Sequence, residues 1–494
     1  MIKKSDLYAY LIIIAIACSL YGEVLGFDFA GDDWSIIAQR ESFLSDLGNI
    51  KTLFLHPGNI KESFNKYSYA SGEISYRPLK TLTFFFDYKF WGLNPAGFKL
   101  TNLLFHILNT FLIYRFCLFL LSQRLVSLVA SLVFLMHPVN VETVVIATYR
   151  HDLMALFFYL TAFFVFISAL KSKRKIFFIK SMVCCVLYVL AILSKESALT
   201  FLILIALYVY LAFKSKTIRA DKKEILFLML GLVFITVLFG FLRFYCNPPE
   251  AVNQRVLDAG FYGEILTVVK TFAQYIEWLL MPSGIKFYLI EQFTPIREVG
   301  VEVIFNCVTV ILLLFLAIRG ILKGSFELKL ANSWILINLA PLCAIRYLPS
   351  LIAARYLYIP SVGFAILLGM LLKQVILNGK AYKAVVVLVV VTLGFYFIKS
   401  SYEVKYWENN LMLWTKMKKD FPQNDYVQMQ YHINYGGVLL FMGRPKMALE
   451  EYLKAHFIDS SNTVALQGMA DSLIAIGEEQ EAEKNHDIIL GIEK

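Results

Sequence analysis

The sequence predicts an all-α, multi-pass membrane protein of about eleven transmembrane helices, followed by a small soluble helical domain. Of its 494 residues, 58% are hydrophobic and only 17% are charged, and the mean hydropathy is +0.63. Long apolar stretches recur along the chain, and most charged residues lie between them. One soluble core cannot bury that much apolar sequence, so most of the chain is expected to lie in a lipid bilayer.

Eleven apolar stretches have the length and composition expected of helices that cross a bilayer. A twelfth stretch, 264–281, carries Glu264, Lys270 and Glu277, so we expect it to lie along the membrane interface rather than to cross it. The predicted spans are 5–22, 99–121, 125–141, 153–170, 176–193, 198–213, 224–245, 302–319, 330–345, 356–373 and 383–399.

The distribution of Lys and Arg between the predicted spans indicates which loops lie on the cytoplasmic side of the membrane. The formal net charge is +10, and Lys and Arg concentrate in short loops that alternate with less basic ones, as the positive-inside rule describes. With eleven crossings, the basic loops lie in the cytoplasm and the C-terminus lies outside. Because the basic residues are accounted for by topology, no nucleic-acid partner is predicted.

Two domains follow from this organisation. Residues 1–400 are predicted to form the transmembrane domain, with long exterior loops at 23–98 and 246–301, and residues 401–494 to form the soluble domain.

The soluble domain has a sequence period. Gly443 and Gly477 are 34 residues apart, and so are Ala448 and Ala482. Small residues at these offsets allow two antiparallel helices to pack closely, which is the tetratricopeptide-repeat pattern. Peptide binding and a helical cap without a recognition role are both compatible with so short an array.

Ionisable residues collect at the exterior ends of the predicted helices. A carboxylate beside basic groups at a membrane surface suits the transfer of a group from a lipid-linked phosphate to a hydroxyl, because the carboxylate takes a proton while the cations neutralise the departing phosphate. These residues are Asp32, Asp33, Arg77, His137, Glu142, Arg150, Asp152, Lys195, Glu196, Arg346 and Arg355.

Each of these residues also has a structural interpretation. Asp32 and Asp33 can cap a helix that starts at Trp34, and Arg150 and Asp152 can form an ion pair at a helix start. Without further information, these interpretations compete with the catalytic one.

Other polar positions have equally simple interpretations. Lys195 and Glu196 can mark a membrane boundary by snorkelling, and Arg355 can be an interfacial anchor. His106, inside an apolar stretch, is expected to be packed and hydrogen-bonded rather than to bind a ligand. No Cys/His set has metal-site spacing, and no phosphate-binding glycine loop is present in the sequence.

Several short strings occur in a fixed order. The strings are Phe29-Ala30-Gly31-Asp32-Asp33, Tyr76-Arg77-Pro78-Leu79, Trp91-Gly92-Leu93-Asn94-Pro95, Lys99-Leu100-Thr101-Asn102 leading to His106, His137-Pro138-Val139-Asn140-Val141-Glu142, Tyr149-Arg150-His151-Asp152-Leu153, Leu193-Ser194-Lys195-Glu196-Ser197 and Arg355-Tyr356-Leu357-Tyr358-Ile359-Pro360. Their order resembles the transmembrane and tetratricopeptide-repeat O-mannosyltransferase family and its bacterial relatives, within the GT-C glycosyltransferase superfamily.

The resemblance implies a GT-C fold and an inverting glycosyltransferase. Such an enzyme moves one sugar, mannose in the family name, from a polyprenyl- or dolichyl-phosphate donor to a hydroxyl of a protein Ser or Thr, a glycan or a lipid on the exterior face. Asp32 and Asp33 match the acidic catalytic motif, and one of them would be the base. The residues that would bind the donor phosphate or substrate are Arg77, His137, Glu142, Arg150, Asp152, Lys195, Glu196 and Arg355.

The resemblance also bears on cofactors, partners and location. Some superfamily members bind a divalent metal at an Asp-x-Asp motif, whereas adjacent acids resemble the metal-independent branch, so a divalent metal is not favoured and no metal ligands are assigned. The lipid-phosphate sugar is the expected donor, and an acceptor protein or glycan is the expected partner of the repeats. The short repeat array favours a bacterial inner membrane, with the site and the C-terminus on the periplasmic side.

Two features depart from the family pattern. Lys99 stands where relatives often have His, and the repeat array is shorter than those of animal members. Two other functions remain as alternatives: a transporter of lipid-linked sugars or polymers, and a catalytically inactive scaffold that presents the repeats.

Overall fold

The computed structural model describes residues 4–55, 76–214, 220–246, 260–282, 284–285, 300–345, 352–378 and 382–483. Within these ranges the chain consists of helices and short connections, and no strand occurs there. The α-helices are Lys4–Tyr21, Asp32–Ile36, Glu41–Ser45, Ile50–Leu55, Pro78–Trp91, Pro95–Leu121, Arg124–Met136, Val141–Val145, Arg150–Leu170, Arg174–Ser194, Thr200–Lys214, Lys222–Cys246, Gly260–Leu280, Val301–Lys323, Phe326–Leu339, Pro360–Asn378, Tyr382–Val404, Asn410–Asp420, Asp425–Phe441, Pro445–Ile458 and Thr463–Ile476.

The chain is a multi-pass membrane protein. Nine helical segments of the described chain are long and apolar enough to cross a bilayer, and each corresponds to a predicted span. The count is ten if one bent helix pair is a single span. The nine segments are Lys4–Gly26, Pro95–Leu121, Ala147–Leu170, Arg174–Ser194, Glu196–Lys214, Lys222–Arg243, Val301–Lys323, Pro360–Leu377 and Lys383–Trp407.

Two predicted spans have a different form. Span 125–141 corresponds to Arg124–Met136 and Pro138–Val145, which meet at an angle of 51°. Span 330–345 corresponds to the shorter helix Phe326–Leu339, which has 14 residues. The exact number of eleven crossings therefore stays a prediction.

The helix Gly260–Leu280 covers the twelfth stretch, 264–281. It is not among the segments of the described chain that are long and apolar enough to span. The rest of the predicted loop 246–301 lies mostly outside the described residues, as do residues 56–75 of the loop 23–98.

The bent pair breaks at His137 and Pro138. Proline has no backbone N–H and cannot continue the hydrogen-bond ladder of the preceding helix. The side chains nearby replace the lost bonds, because Asn140 Nδ2 donates to Phe134 O at 2.8 Å and the His137 ring accepts from Val139 N at 3.3 Å. Short helical turns follow the break, and they carry several of the predicted site residues.

The string Trp91–Pro95 is a tight helix-to-helix connection. Gly92 has a φ of +59°, which favours glycine, and Asn94 caps the next helix by accepting from Ala96 N at 3.0 Å. Pro95 occupies the first position of that helix, where its missing N–H costs nothing. The structure therefore explains this string by chain geometry rather than by chemistry.

The chain divides into two compact units. The larger contains Asp32–Ile285 and most of the other described membrane helices, and the second contains the described residues 405–483 together with Phe27–Gly31. Arg77, Lys195 and Arg355, together with the other described residues of the predicted site, belong to the larger unit.

The second unit consists of consecutive helices that pack against one another, as predicted for tetratricopeptide repeats. The ring of Tyr452 fills the space left by two glycines on neighbouring helices. A Cβ atom added at Gly468 would lie 2.2 Å from that ring, and one added at Gly436 would lie 3.1 Å from it. Small residues at these positions are thus required for the close approach of the helices.

Candidate active site

Asp33 is a structural capping residue. Its Oδ2 accepts the backbone N–H of Ala147 at 2.9 Å, and its Oδ1 accepts that of Thr148 at 2.7 Å. The carboxylate, which is fully buried, therefore caps the turn Ala147–Tyr149 far along the chain. Capping was the predicted structural alternative for Asp32 and Asp33, but the capped segment is a distant one rather than their own helix.

Asp33 is not positioned to take a proton from a substrate, because its carboxylate is buried and both oxygens accept backbone N–H groups. Burial raises the pKa of the Asp33 carboxyl, while nearby Lys99 and the two backbone N–H groups offset only part of that effect. Lys99 itself donates to Val145 O at 3.2 Å. Both carboxylate oxygens of Asp33 are thus engaged within the protein.

Asp32 belongs to a different set of contacts, which we call the Asp32 cluster: Asp32, Glu142, Tyr149 and Arg355. The Tyr149 hydroxyl donates to Asp32 Oδ2 at 2.9 Å, and the Arg355 guanidinium lies 4.4 Å from the centroid of the Tyr149 ring. Arg355 also donates to Glu142 from Nη1 at 2.8 Å and from its backbone N–H at 3.3 Å. Asp32 is 9% exposed, so it lies nearer the surface than Asp33.

A second set of charges, the Lys195 cluster, comprises Arg77, His151, Asp152, Lys195 and Glu196. The Lys195 ammonium donates to Asp152 Oδ1. Arg77 forms a two-pronged ion pair with Glu196, from Nη2 at 2.8 Å and from Nε at 3.1 Å. Asp152 and Lys195 are almost fully buried, and such charges are stable only when they are paired as they are here.

His151 lies between the two ion pairs of the Lys195 cluster and accepts a hydrogen bond from one of them. Its Nδ1 lies 2.9 Å from Thr148 O, and because a carbonyl only accepts, Nδ1 carries the hydrogen. In the neutral ring, Nε2 is then the acceptor for Arg77 Nη1 at 3.0 Å. The same Nε2 lies 3.2 Å from Asp152 Oδ2.

Tyr356 lies between the two clusters. The Lys195 ammonium is 5.3 Å from the centroid of its ring, and the Arg355 guanidinium is 5.2 Å from it. The Tyr356 ring thus contacts one cation from each cluster.

The cations of the two clusters differ in how firmly they hold their charge. Burial lowers the pKa of the Lys195 ammonium, and Asp152 opposes only part of that shift. Burial also works against the charge on Arg355, but Tyr149 and Glu142 outweigh it and the pKa is raised well above its ordinary value. Arg355 is therefore a permanent cation, whereas Lys195 is closer to losing its proton.

Arg150 does not reach this site. Its guanidinium is fully buried and donates to Asn102 Oδ1 at 2.9 Å, Thr83 Oγ1 at 2.7 Å and Phe98 O at 2.8 Å. It also pairs with Asp87 at 2.6 Å. Direct binding of a donor phosphate by Arg150 would require breaking these bonds, so the predicted phosphate-binding role of Arg150 stays a prediction.

His137 is likewise part of the framework. It is fully buried, its Nε2 lies 3.1 Å from Leu279 O, and its ring packs on Phe364 and Tyr396. Its Nδ1 accepts from Val139 N at the bend, so both ring nitrogens contact backbone groups, and the predicted contact of His137 with a substrate stays a prediction.

Four residues of the site were not predicted: Tyr149, His151, Tyr356 and Arg243. Arg243 Nη1 lies 3.5 Å from Glu196 Oε2. Tyr149 and Tyr356 adjoin residues that were predicted, and Arg243 lies at the end of a span that was predicted to be exterior. An aromatic residue next to an exterior cation was the available signal for the two tyrosines.

No group of three or more His, Cys, Asp and Glu side chains in the described chain is arranged to hold a metal ion. Arg346, also predicted to lie on the exterior side, is outside the described residues.

These features define a class of protein: a multi-pass helical membrane protein with paired, buried charges at helix ends and a helical-repeat unit. Comparison with known proteins agrees with the predicted resemblance. The chain is 25% identical to the protein O-mannosyl-transferase F38B6.6 of Caenorhabditis elegans over 475 residues, which cover 91% of the chain and 63% of that protein.

Two further relatives carry the same kind of name. The human protein O-mannosyl-transferase TMTC3 is 26% identical over 72% of the chain and 42% of that protein. The protein O-mannosyl-transferase tmtc2 of Xenopus laevis is 28% identical over 67% of the chain and 41% of that protein. The chain thus spans less than two thirds of the length of each of these relatives.

No family model matches the chain. The resemblance predicted from the ordered strings is confirmed by these relatives, while the bacterial assignment stays a prediction.

Proposed function

We propose that this chain is a glycosyltransferase that moves one sugar from a polyprenyl- or dolichyl-phosphate donor to a hydroxyl of a protein on the exterior side of the membrane. Three relatives named protein O-mannosyl-transferases support the sugar and the protein acceptor. The single observation that carries the mechanism is the contact chain from Asp32 through Tyr149 to Arg355.

Asp32 is the proposed base. The acceptor hydroxyl loses its proton to the Asp32 carboxylate as its oxygen attacks the anomeric carbon. Asp33 is unsuited to this role, because both of its oxygens accept backbone N–H groups. The Tyr149 hydroxyl, which donates to Asp32, holds the carboxylate in place.

Arg355, Lys195 and Arg77 are the proposed phosphate ligands. The bond from the anomeric carbon to the phosphate oxygen breaks as the new bond forms, and the lipid phosphate leaves with its additional negative charge. Cations held in place by buried carboxylates can stabilise that charge without reorganising. Attack from the side opposite the phosphate inverts the anomeric configuration.

The location and the acceptor complete the proposal. We propose a bacterial inner membrane, a periplasmic site and a periplasmic C-terminal unit, with the tetratricopeptide repeats binding the acceptor polypeptide. No divalent metal is assigned a role.

The test is transfer of labelled mannose from polyprenyl-phosphate mannose to Ser/Thr-containing polypeptide by membranes that contain the protein. Asp32→Asn is expected to abolish most of the transfer. Asp6→Asn is a matched control, because Asp6 is also buried and accepts from a tyrosine hydroxyl, Tyr114, at 3.0 Å. Equal transfer by the wild type and Asp32→Asn would refute the mechanism.

A further inference from the structure

Tyr358 is three residues beyond Arg355, and its hydroxyl is buried in the interior of the helix bundle. Tyr358 Oη is 2.8 Å from His106 Nδ1 and accepts from Asn109 Nδ2 at 3.2 Å. All three side chains are fully buried. Buried polar groups of this kind are costly unless each is paired.

The direction of every hydrogen bond in this group can be deduced. His106 Nε2 lies 3.2 Å from Leu135 O, and because a carbonyl only accepts, Nε2 carries the ring hydrogen. Nδ1 is then an acceptor in the neutral ring, so the Tyr358 hydroxyl donates to it. The bonds run in one direction, from Asn109 to Tyr358 to His106 to Leu135, which favours mutual strengthening.

Asn109 ties this chain of bonds to the helix that carries Asp152. The second hydrogen of Asn109 Nδ2 goes to Leu153 O at 2.9 Å, and Leu153 directly follows Asp152. Tyr358 therefore connects, through one amide, the turn that carries Arg355 and the helix that holds Lys195 through its partner Asp152.

We infer that His106, Asn109 and Tyr358 are positioning residues that fix the Arg355 turn relative to the Asp152–Lys195 pair. None of the three belongs to the Asp32 cluster or the Lys195 cluster, so they act through other residues. Their functional effect rests on the proposed role of Arg355 and Lys195 as phosphate ligands, whereas their effect on the geometry of the turn does not.

The first variant to test is Tyr358→Phe, which removes the hydroxyl and keeps the ring. A displacement of about 1 Å of a positioning group can cost on the order of 100-fold, so we expect the KM for polyprenyl-phosphate mannose to rise by roughly 10- to 100-fold. Tyr188→Phe is the matched control, because the Tyr188 hydroxyl is also buried and bonds to Thr236 at 2.8 Å.

Two replacements of His106 separate positioning from simple loss of packing. The oxygen of an Asn side chain can take the place of Nδ1 and accept from Tyr358, whereas a Gln side chain can take the place of Nε2 and donate to Leu135 O. We expect His106→Asn to keep a donor KM near that of the wild type and His106→Gln to resemble Tyr358→Phe.

A measurement independent of catalysis tests the geometry itself. Hydrogen–deuterium exchange of peptides covering residues 352–359 is expected to increase in Tyr358→Phe and in His106→Gln, and to stay unchanged in Tyr188→Phe. Equal exchange in Tyr358→Phe and Tyr188→Phe would overturn the inference, whatever the activity.

A double variant with Arg355→Lys distinguishes the two proposals. If Tyr358 acts through Arg355, adding Tyr358→Phe to Arg355→Lys causes little further rise in KM, because coupled residues are not additive. Full additivity would overturn the positioning role. If Arg355→Lys leaves the KM unchanged while exchange in the turn responds as expected, the phosphate-binding role of Arg355 fails and the positioning of the turn stands.

Discussion

Asp32 and Asp33 are neighbours with different contacts, and this difference allows a sharp test. Replacing each by Asn keeps the size of the side chain and removes its charge. Asp33→Asn turns one of two carboxylate oxygens into an NH2 group, which faces a backbone N–H of Ala147 or Thr148. Asp32→Asn leaves an amide oxygen that can still accept from Tyr149.

The expected sizes follow from these contacts. Asp33→Asn leaves a buried N–H without an acceptor, which costs about 1–3 kcal/mol of folding stability. Asp32→Asn removes a general base, which is worth about 10²- to 10⁴-fold in rate. Stability should therefore fall mainly in the Asp33 variant, and turnover mainly in the Asp32 variant.

Two measurements on the same detergent-purified samples separate these effects. Thermal denaturation reports the loss of stability, and kcat for labelled-sugar transfer, measured well below the unfolding temperature, reports the loss of catalysis. Asp6→Asn again controls for removal of a buried carboxylate. A large loss of kcat in Asp33→Asn with unchanged thermal stability would contradict the assignment of Asp33 to structure and of Asp32 to catalysis.

Three further predictions concern other parts of the chain. Burial lowers the pKa of Lys195, so its positive charge is present below that pKa and is lost as the pH rises through it. We therefore expect kcat/KM to fall at a lower pH than it would with an ordinary lysine. Lys195→Arg, which stays charged, should remove that alkaline fall in a pH–rate profile. Arg150→Lys keeps the charge but loses most of the buried hydrogen bonds of the guanidinium. The yield of folded protein and its melting temperature should therefore both drop. An unchanged melting temperature would contradict the structural role of Arg150. Gly468→Ala places a Cβ 2.2 Å from the Tyr452 ring and should destabilise the repeat unit by about 1–3 kcal/mol, which limited proteolysis would detect as faster cleavage. Gly437→Ala is the control, because its added Cβ would have its nearest neighbouring atom at 3.5 Å and should leave the cleavage rate unchanged.

Much of the fold follows from composition and spacing. A long stretch of apolar residues is stable as a helix across the hydrocarbon core of a bilayer, where its backbone groups bond to one another. The positions of the nine candidate spans could therefore be predicted from hydropathy. The bend at Pro138 could not, because an apolar stretch with one proline is compatible with a straight, a kinked or a broken helix.

The residues of the site were predicted less completely. Arg77, Lys195 and Arg355 were predicted because the eleven-span topology places them on the same side as Asp32 and because they lie in strings that resemble the family. Arg150 was predicted on the same grounds, yet its guanidinium donates hydrogen bonds to Asn102 and other buried groups. A single sequence does not distinguish a cation that faces a site from one that faces the core.

The sequence by itself determined that this chain is a helical membrane protein with a repeat-containing end and with ionisable residues near the ends of its apolar stretches. Hydropathy, the 34-residue spacing and the order of short strings are local properties, so they can be read without a structure. The tertiary structure alone decided that Asp33 caps a distant turn, that Asp32 contacts Tyr149, and that Lys195 lies against the Tyr356 ring. These contacts join residues far apart along the chain, and only packing of the helices brings them together.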